Sequence, residues 1–301
     1  MMAELPARNG LPLAAPDEIT ALAYCVGASL AGYKAMTATP GPGWCLMIET
    51  VQYAVMTETP VVIGLVQRLG PSTGGATQGG QGDVLLTEFC TSGGYTLPVY
   101  APATARQCFA VTQAAFHWAE RLRTPVVVLS GKEVGMTLES VDLAALVKWP
   151  PVERKPFADG GRRFLTYAAP CLEEPPEFAP VGGAVRVVAT GSAHDQAGRL
   201  RKNAPEVVEL LIHLQAKIAA HAEHMSLVEE DLVAGADTLV LSYGISARGR
   251  RVRARDSLRT EIVFEYTLDP EGHRILCPST ISLRSSGFRL TRPPISLIFC
   301  I

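Results

Sequence analysis

Two glycine-containing loops hold the residue types that could do chemistry. The first is "TATPGPGWCLMIE" and the second "QRLGPSTGGATQGGQGD", which carries Arg68, Ser72, Thr73, Gln78, Gln81 and Asp83. Each follows a short apolar segment with the character of a buried strand. Both loops are therefore expected at the carboxyl edge of a parallel sheet, where α/β proteins bind ligands. The bland alternatives are that these glycines only make tight turns and that Arg68 only bonds loop carbonyls. Neither loop matches GxGxxG or GxxxxGK[ST], so nucleotide binding of the usual kinds has no support. No histidine lies near Ser72 in sequence to make it a nucleophile.

Other reactive residue types point less sharply. Seven cysteines occur with no CxxC, none closer together than Cys90 and Cys108. Cluster and zinc sites usually take at least two ligands from one short loop, so the cysteines are expected to be buried reduced thiols. His194 and Asp195, framed by Gly191 and Gly198 in "TGSAHDQAG", read as a turn serving folding or a subunit contact. His213, His221 and His224 share one amphipathic stretch without carboxylates or cysteines on the same face. Solvated histidines are the expectation there, and no metal site.

The elements that must position the loops follow from pattern. "DEITALAYCVGASLAG" has an acidic first turn and a terminal glycine, which predicts a helix from Asp17 to Gly32. "KAMTATPGPG" reads as a strand entering a Pro/Gly loop, and "WCLMIETVQYAVMTE" as a helix ended by Pro60. "PVVIGLVQR" and "PVVVLSG" are continuous β-branched runs, as expected of parallel strands buried on both faces. Between them lies the helical "ARQCFAVTQAAFHWAERLR". Strands alternating with helices predict an α/β fold with a parallel sheet flanked by helices.

That first domain is expected over 1–150. Residues 151–235 read as a proline-rich connecting arm followed by one long amphipathic helical region, "APEVVELLIHLQAKIAAHAEHMSLVEEDLV". A second α/β domain opens at "ADTLVLSYGISAR" within 236–301 and is not continued. Beyond Arg248 the text is dense in Arg, Ser and Pro, with no alanine after Ala254. A basic arm for RNA is one reading. A disordered or out-of-frame end fits better, because helix–strand periodicity stops where the unit has just begun.

Composition sets outer bounds. The chain has 301 residues, 48% hydrophobic and 19% charged, with a formal net charge of −2. Such a balance gives no general reason to expect nucleic acid or an anionic membrane as partner. No apolar run reaches the roughly eighteen residues of a membrane span, and the N-terminus lacks the pattern of a secretory signal. A cytoplasmic protein is expected.

Taken in order, "DEITALAYCVGASLAG", "TATPGPGWCLMIE", "ETPVVIGLVQRLGPSTGGATQGGQGD", "YAPATARQCF", "AFHWAERLRTPVVVLS" and "TGSAHDQAG" resemble the alpha subunit of 2-oxoacid:ferredoxin oxidoreductases, especially the 2-oxoglutarate type. The match runs from about Pro16 to Ala247. It implies a thiamine-diphosphate-binding fold of the pyrimidine type. It also implies oxidative decarboxylation of a 2-oxoacid to an acyl-CoA, with electrons passed to ferredoxin. A beta subunit would hold the diphosphate, Mg and an iron–sulfur cluster, and gamma and delta subunits would complete the complex. Alternatives are another thiamine-diphosphate enzyme subunit and a non-catalytic truncated remnant.

The resemblance also assigns residues. Glu18 stands where the family places the glutamate that shares a proton with the cofactor's aminopyrimidine, although on its own an acidic first-turn residue reads as a dipole-compensating surface charge. Thr39, Gly41 and Gly43 fall in the cofactor loop. Arg68 takes the place of a substrate-facing arginine, whose guanidinium can hold a carboxylate through two parallel hydrogen bonds. Ser72 and Thr73 line the same pocket. The chain departs from the family in lacking its glycine-containing opening and "YPITP" loop.

Overall fold

The computed structural model describes residues 5–146, 148–228 and 242–253, together with the backbone of short strands at 238–239, 264–268, 274–281, 283–284 and 299–300. The expectation of a frame change after Arg248 falls mostly outside these residues. A central parallel sheet joins β1 (Met36–Pro40), β2 (Val61–Gln67), β3 (Val99–Tyr100) and β4 (Pro125–Gly131) in the order β1-β2-β4-β3. The strand Phe299–Cys300 pairs beyond β3.

Helices cover both faces, which is why β2 and β4 read as unbroken apolar runs rather than alternating ones. Val61, Ile63 and Leu65 point to one face, where Leu22 and Val26 of α1 (Glu18–Leu30) pack with Trp44, Met47 and Val51 of α2 (Gly41–Met56). Val62, Val126 and Val128 point to the other, against Val111, Ala115, Trp118 and Leu122 of the helix α4 (Ala105–Leu122). The short α3 (Val84–Glu88) and α5 (Lys132–Met136) follow the glycine-rich loop and β4. Each fully buried Leu, Ile, Val or Met side chain contributes roughly 1.5–3 kcal/mol to this core.

Asp17 is the N-cap of α1, its carboxylate accepting from Thr20 N–H at 2.7 Å. The sequence-based start of α2 at Trp44 is corrected. The helix begins at Gly41, with Pro42 in its first turn, where a missing N–H leaves no bond unmade. The Pro/Gly "loop" is thus a helix N-terminus.

Residues 151–225 lie against this sheet domain rather than away from it. Arg154 is buried, bonding both Glu120 carboxylate oxygens at 2.6 and 3.1 Å and the carbonyl oxygens of Ser29 and Tyr33. The long helical region expected over 204–233 is also corrected. α6 (Pro205–Ala219) stops, the backbone leaves helical geometry at His221, and α7 (Ala222–Met225) is a separate turn; residues 229–233 fall outside the described set. Tertiary contacts explain the break. Met225 is fully buried beside Val62 and Val126, and its carbonyl accepts from the Tyr100 hydroxyl at 3.3 Å.

Candidate functional site

The carboxyl ends of β1, β2 and β4 lie side by side, with Pro40 opposite Val66 and Gln67 opposite Gly131. Glu18, at the start of α1, reaches this edge. A Cβ on Gly43 would collide with Thr39 Oγ1 and come within 2.8 Å of Glu18 Oε1, so only glycine lets the first turn of α2 approach both side chains. A Cβ on Gly41 would come within 2.8 Å of Asp83 Oδ2. Glu18, Thr39, Gly41 and Gly43, separate in the sequence, therefore meet in one place. The carboxylate and the hydroxyl meet the buried first turn of α2 there, at a helix N-terminus.

A second group lies beside the first. Arg68 directly follows β2, and Asp83 ends the glycine-rich loop. Burial pushes the Asp83 carboxyl above the usual aspartate range, and the Arg68 charge pulls it partly back. Asp83 N–H donates to Gln67 Oε1 at 3.3 Å. Glu133, in the first turn of α5, lies under the same loop, its carboxylate pressed against Gly79. Arg68 Nε, Gln67 Nε2, Asp83 Oδ2 and Glu133 Oε2 are all buried without a hydrogen-bond partner among the described residues. Glu133 carries no motif that sequence reasoning could have used.

Ser72 and Thr73 are exposed at the tip of the loop, which is pinned at its base by Leu69 N–H to Gln78 O at 3.0 Å and Gly75 N–H to Leu69 O at 3.1 Å. Ser72 holds a φ of 54°. Among the described residues no hydrogen bond joins either hydroxyl to Glu18, Thr39 or Arg68.

The histidines separate by burial. His213 is not solvated as expected: it is buried, with Nε2 at 2.9 Å from Glu58 Oε2 and Nδ1 at 2.9 Å from Leu172 O. Lys217 Nζ, one turn along α6, donates to the same Glu58 oxygen at 2.7 Å and to Arg123 O at 3.2 Å. Arg123 is buried too and donates to the Glu58 carbonyl at 3.1 Å. Burial alone would raise the Glu58 pKa, but Lys217, His213 and Arg123 outweigh it and hold the carboxyl far below its usual range. This cluster fastens α6 to the sheet domain. His194 is buried against the Tyr167 ring, with centroids 3.9 Å apart, and Nδ1 lies 2.7 Å from Ser192 O. Asp195 accepts from Ala197 and Arg199 N–H at 3.0 Å each and pairs with Arg201 at 2.7 Å. Both residues organise their own turn.

Residues 3–212 match the family described as pyruvate flavodoxin/ferredoxin oxidoreductase, thiamine diphosphate-binding. The chain belongs to this family. It is 37% identical over 245 residues to 2-oxoglutarate synthase subunit KorA of Methanothermobacter thermautotrophicus, an alignment covering 81% of this chain and 64% of the relative. It is 45% identical over 168 residues to the KorA subunit of Archaeoglobus fulgidus, covering 55% and 49%. Among solved structures, a 2-oxoglutarate:ferredoxin oxidoreductase from Magnetococcus marinus with 2-oxoglutarate, coenzyme A and succinyl-CoA bound superposes with a TM-score of 0.67 at 27% identity, over 84% of this chain and 45% of that one. The chain thus spans about two thirds or less of the length of these relatives. The resemblance read from the loops is borne out, as is the α/β thiamine-diphosphate-binding fold. No helix among the described residues is long and apolar enough to cross a membrane.

Proposed function

We propose that this chain acts as the alpha subunit of a 2-oxoacid:ferredoxin oxidoreductase, with 2-oxoglutarate as the 2-oxoacid. The reaction converts 2-oxoglutarate, coenzyme A and two oxidised ferredoxins to succinyl-CoA, carbon dioxide, two reduced ferredoxins and a proton. The observation that carries the reading is the convergence of Glu18 and Thr39 on Gly43 within a family matched as thiamine diphosphate-binding. Bound thiamine diphosphate supplies the carbon nucleophile for the 2-oxo carbonyl and accepts the electron pair left as carbon dioxide departs.

This chain's own residues orient and polarise. Glu18 offers a carboxyl to the aminopyrimidine ring and governs the proton held there. Thr39 and the backbone at Gly41 and Gly43 bound the space that the ring occupies. Arg68 holds the substrate carboxylate, with Ser72 and Thr73 closing over the outer side once the loop tip is covered. A beta subunit supplies the diphosphate site, Mg and the iron–sulfur cluster, with gamma and delta subunits and ferredoxin completing electron transfer in the cytoplasm. We divide the chain into a pyrimidine-binding domain over 1–150, an arm over 151–235 and the beginning of a further domain over 236–301. The test is co-expression with a beta subunit of the same oxidoreductase, followed by CoA-dependent reduction of ferredoxin with 2-oxoglutarate and, separately, pyruvate. Turnover with 2-oxoglutarate is expected. An assembled, cofactor-loaded complex that turns over no 2-oxoacid would overturn the proposal.

A further inference from the structure

Residues 242–248 return to the carboxyl edge of the sheet and bond to the glycine-rich loop. The Tyr243 hydroxyl donates to Gln81 O at 2.9 Å and lies 3.3 Å from Gln67 Oε1. Gln81 Nε2 donates back to Tyr243 O at 3.3 Å, and Ser246 Oγ bonds Gln81 Oε1 at 2.6 Å. Arg248 extends the attachment through an ion pair with Glu139 at 2.7 Å, and Glu139 also accepts from Ala105 N–H at the start of α4. Tyr243 is buried among Leu65, Leu97 and Ala101, and burial pushes its phenol well above the ordinary tyrosine range, so it stays a hydrogen-bond donor at every physiological pH.

The two residues that Tyr243 bridges are those that flank the candidate substrate group. Gln67 precedes Arg68 and also accepts from Asp83 N–H; Gln81 lies two residues before Asp83. Arg68 Nε and Asp83 Oδ2 are buried without a hydrogen-bond partner among the described residues, so no bond at these atoms orients the two side chains. Something else must orient them. We propose that Tyr243, assisted by Ser246, is a positioning residue: it clamps the end of the glycine-rich loop to the end of β2 and so holds Arg68 and Asp83 in register for the 2-oxoacid. This rests on the reading of the site given under Proposed function.

Tyr243→Phe removes the hydroxyl and keeps the ring in the core; Ser246→Ala lies outside the core and serves where the first variant fails to fold. Hydrogen–deuterium exchange on the full chain is expected to show peptides over 69–83 exchanging about tenfold faster in either variant, with α4 unchanged. In the complex with the beta subunit, KM for 2-oxoglutarate is expected to rise about tenfold while KM for coenzyme A stays fixed. A merely structural tyrosine would move neither the loop selectively nor one KM alone. Unchanged exchange over 69–83 in both variants would overturn the clamp. Faster exchange with an unchanged KM for 2-oxoglutarate would overturn the positioning role. A wild-type complex inactive with every 2-oxoacid would instead bring down the functional reading and the positioning role with it, while the exchange data would still decide whether the clamp exists.

Discussion

Glu58 is fully buried and faces two cations, so replacing it by glutamine removes one charge and strands the others. Lys217 is 1% exposed and Arg123 is 4% exposed; neither can turn to water without opening the interface between α6 and the sheet domain. Breaking a buried pair by removing one partner costs about 3–5 kcal/mol. That is a large share of a stability of roughly 5–15 kcal/mol. With a urea m-value of about 3 kcal/mol per M, the midpoint of Glu58→Gln should fall by roughly 1–1.7 M. Adding Lys217→Met should recover part of the loss, because the double variant leaves fewer buried charges unpaired. The pH dependence adds a sign. The folded Glu58 carboxyl titrates below its unfolded value of 4.5, so its contribution is present above about pH 4.5 and is lost as pH falls toward the folded value. Wild-type stability should therefore fall in acid more steeply than that of the glutamine variant. In the variant, burial holds Lys217 below its ordinary pKa, so its stability should climb as rising pH discharges that lysine. Urea melts from pH 3 up to the ordinary lysine value of 10.5 read all of this. A shift under about 1 kcal/mol at pH 7, with parallel pH profiles, would show that the charges are not desolvated together.

Three further outcomes concern the site. Glu18→Gln should slow C2 proton exchange of thiamine diphosphate bound to the assembled complex by about 10²- to 10⁴-fold while leaving the melting temperature within a few degrees; exchange at the wild-type rate would make Glu18 a surface charge. Gly43→Ala forces a methyl group onto Thr39 Oγ1, so it should cost about 1–3 kcal/mol by overpacking and abolish cofactor binding in calorimetry of the complex; a fully stable variant with unchanged binding would refute the close approach. Arg68→Lys should raise KM for the 2-oxoacid far more than it lowers kcat, since an ammonium cannot make two parallel bonds to a carboxylate; equal changes in both would place Arg68 elsewhere.

Legibility from sequence tracked how local each cause is. β2 and β4 could be read because burial on both faces writes a continuous β-branched run into the strand itself. The start of α1 was readable for the same reason, its acidic opening residues lying within one turn of the amides they serve, although Asp17 proves to be the cap rather than part of the first turn. The start of α2 was misplaced because proline signals a loop or a first helical turn equally well, and only the extended Pro40 and helical Gly41 decide between them. His213 was misjudged because its partner lies 155 residues away. Its helix face looks solvated until Glu58 is brought beneath it. Glu133 escaped notice for the same reason: its meaning comes from Gly79 in another loop.

The two clusters of buried charge differ in how they are satisfied, and that difference separates structure from site. At Glu58 one carboxylate oxygen takes both His213 and Lys217, and Arg123 spends its bonds on the carbonyls of Glu58, Pro176 and Glu177. The other Glu58 oxygen has no partner among the described residues, but Lys217 and Arg123 are buried over it and the cluster acts by fixing one packing. Beneath the glycine-rich loop four side chains rather than one are left in this state. Gln67, Arg68, Asp83 and Glu133 each leave a buried polar atom without a partner, at a cost of about 1–3 kcal/mol for each such group. Folding alone gives no return on that cost, whereas the anion proposed as substrate would offer acceptors to the Arg68 and Gln67 donors together. Burial raises the Asp83 carboxyl above its ordinary range while the Arg68 charge pulls it down, so the two groups are linked electrostatically. In the proposed reading, Tyr243 orders the glycine-rich loop from within and the 2-oxoacid orders it from without.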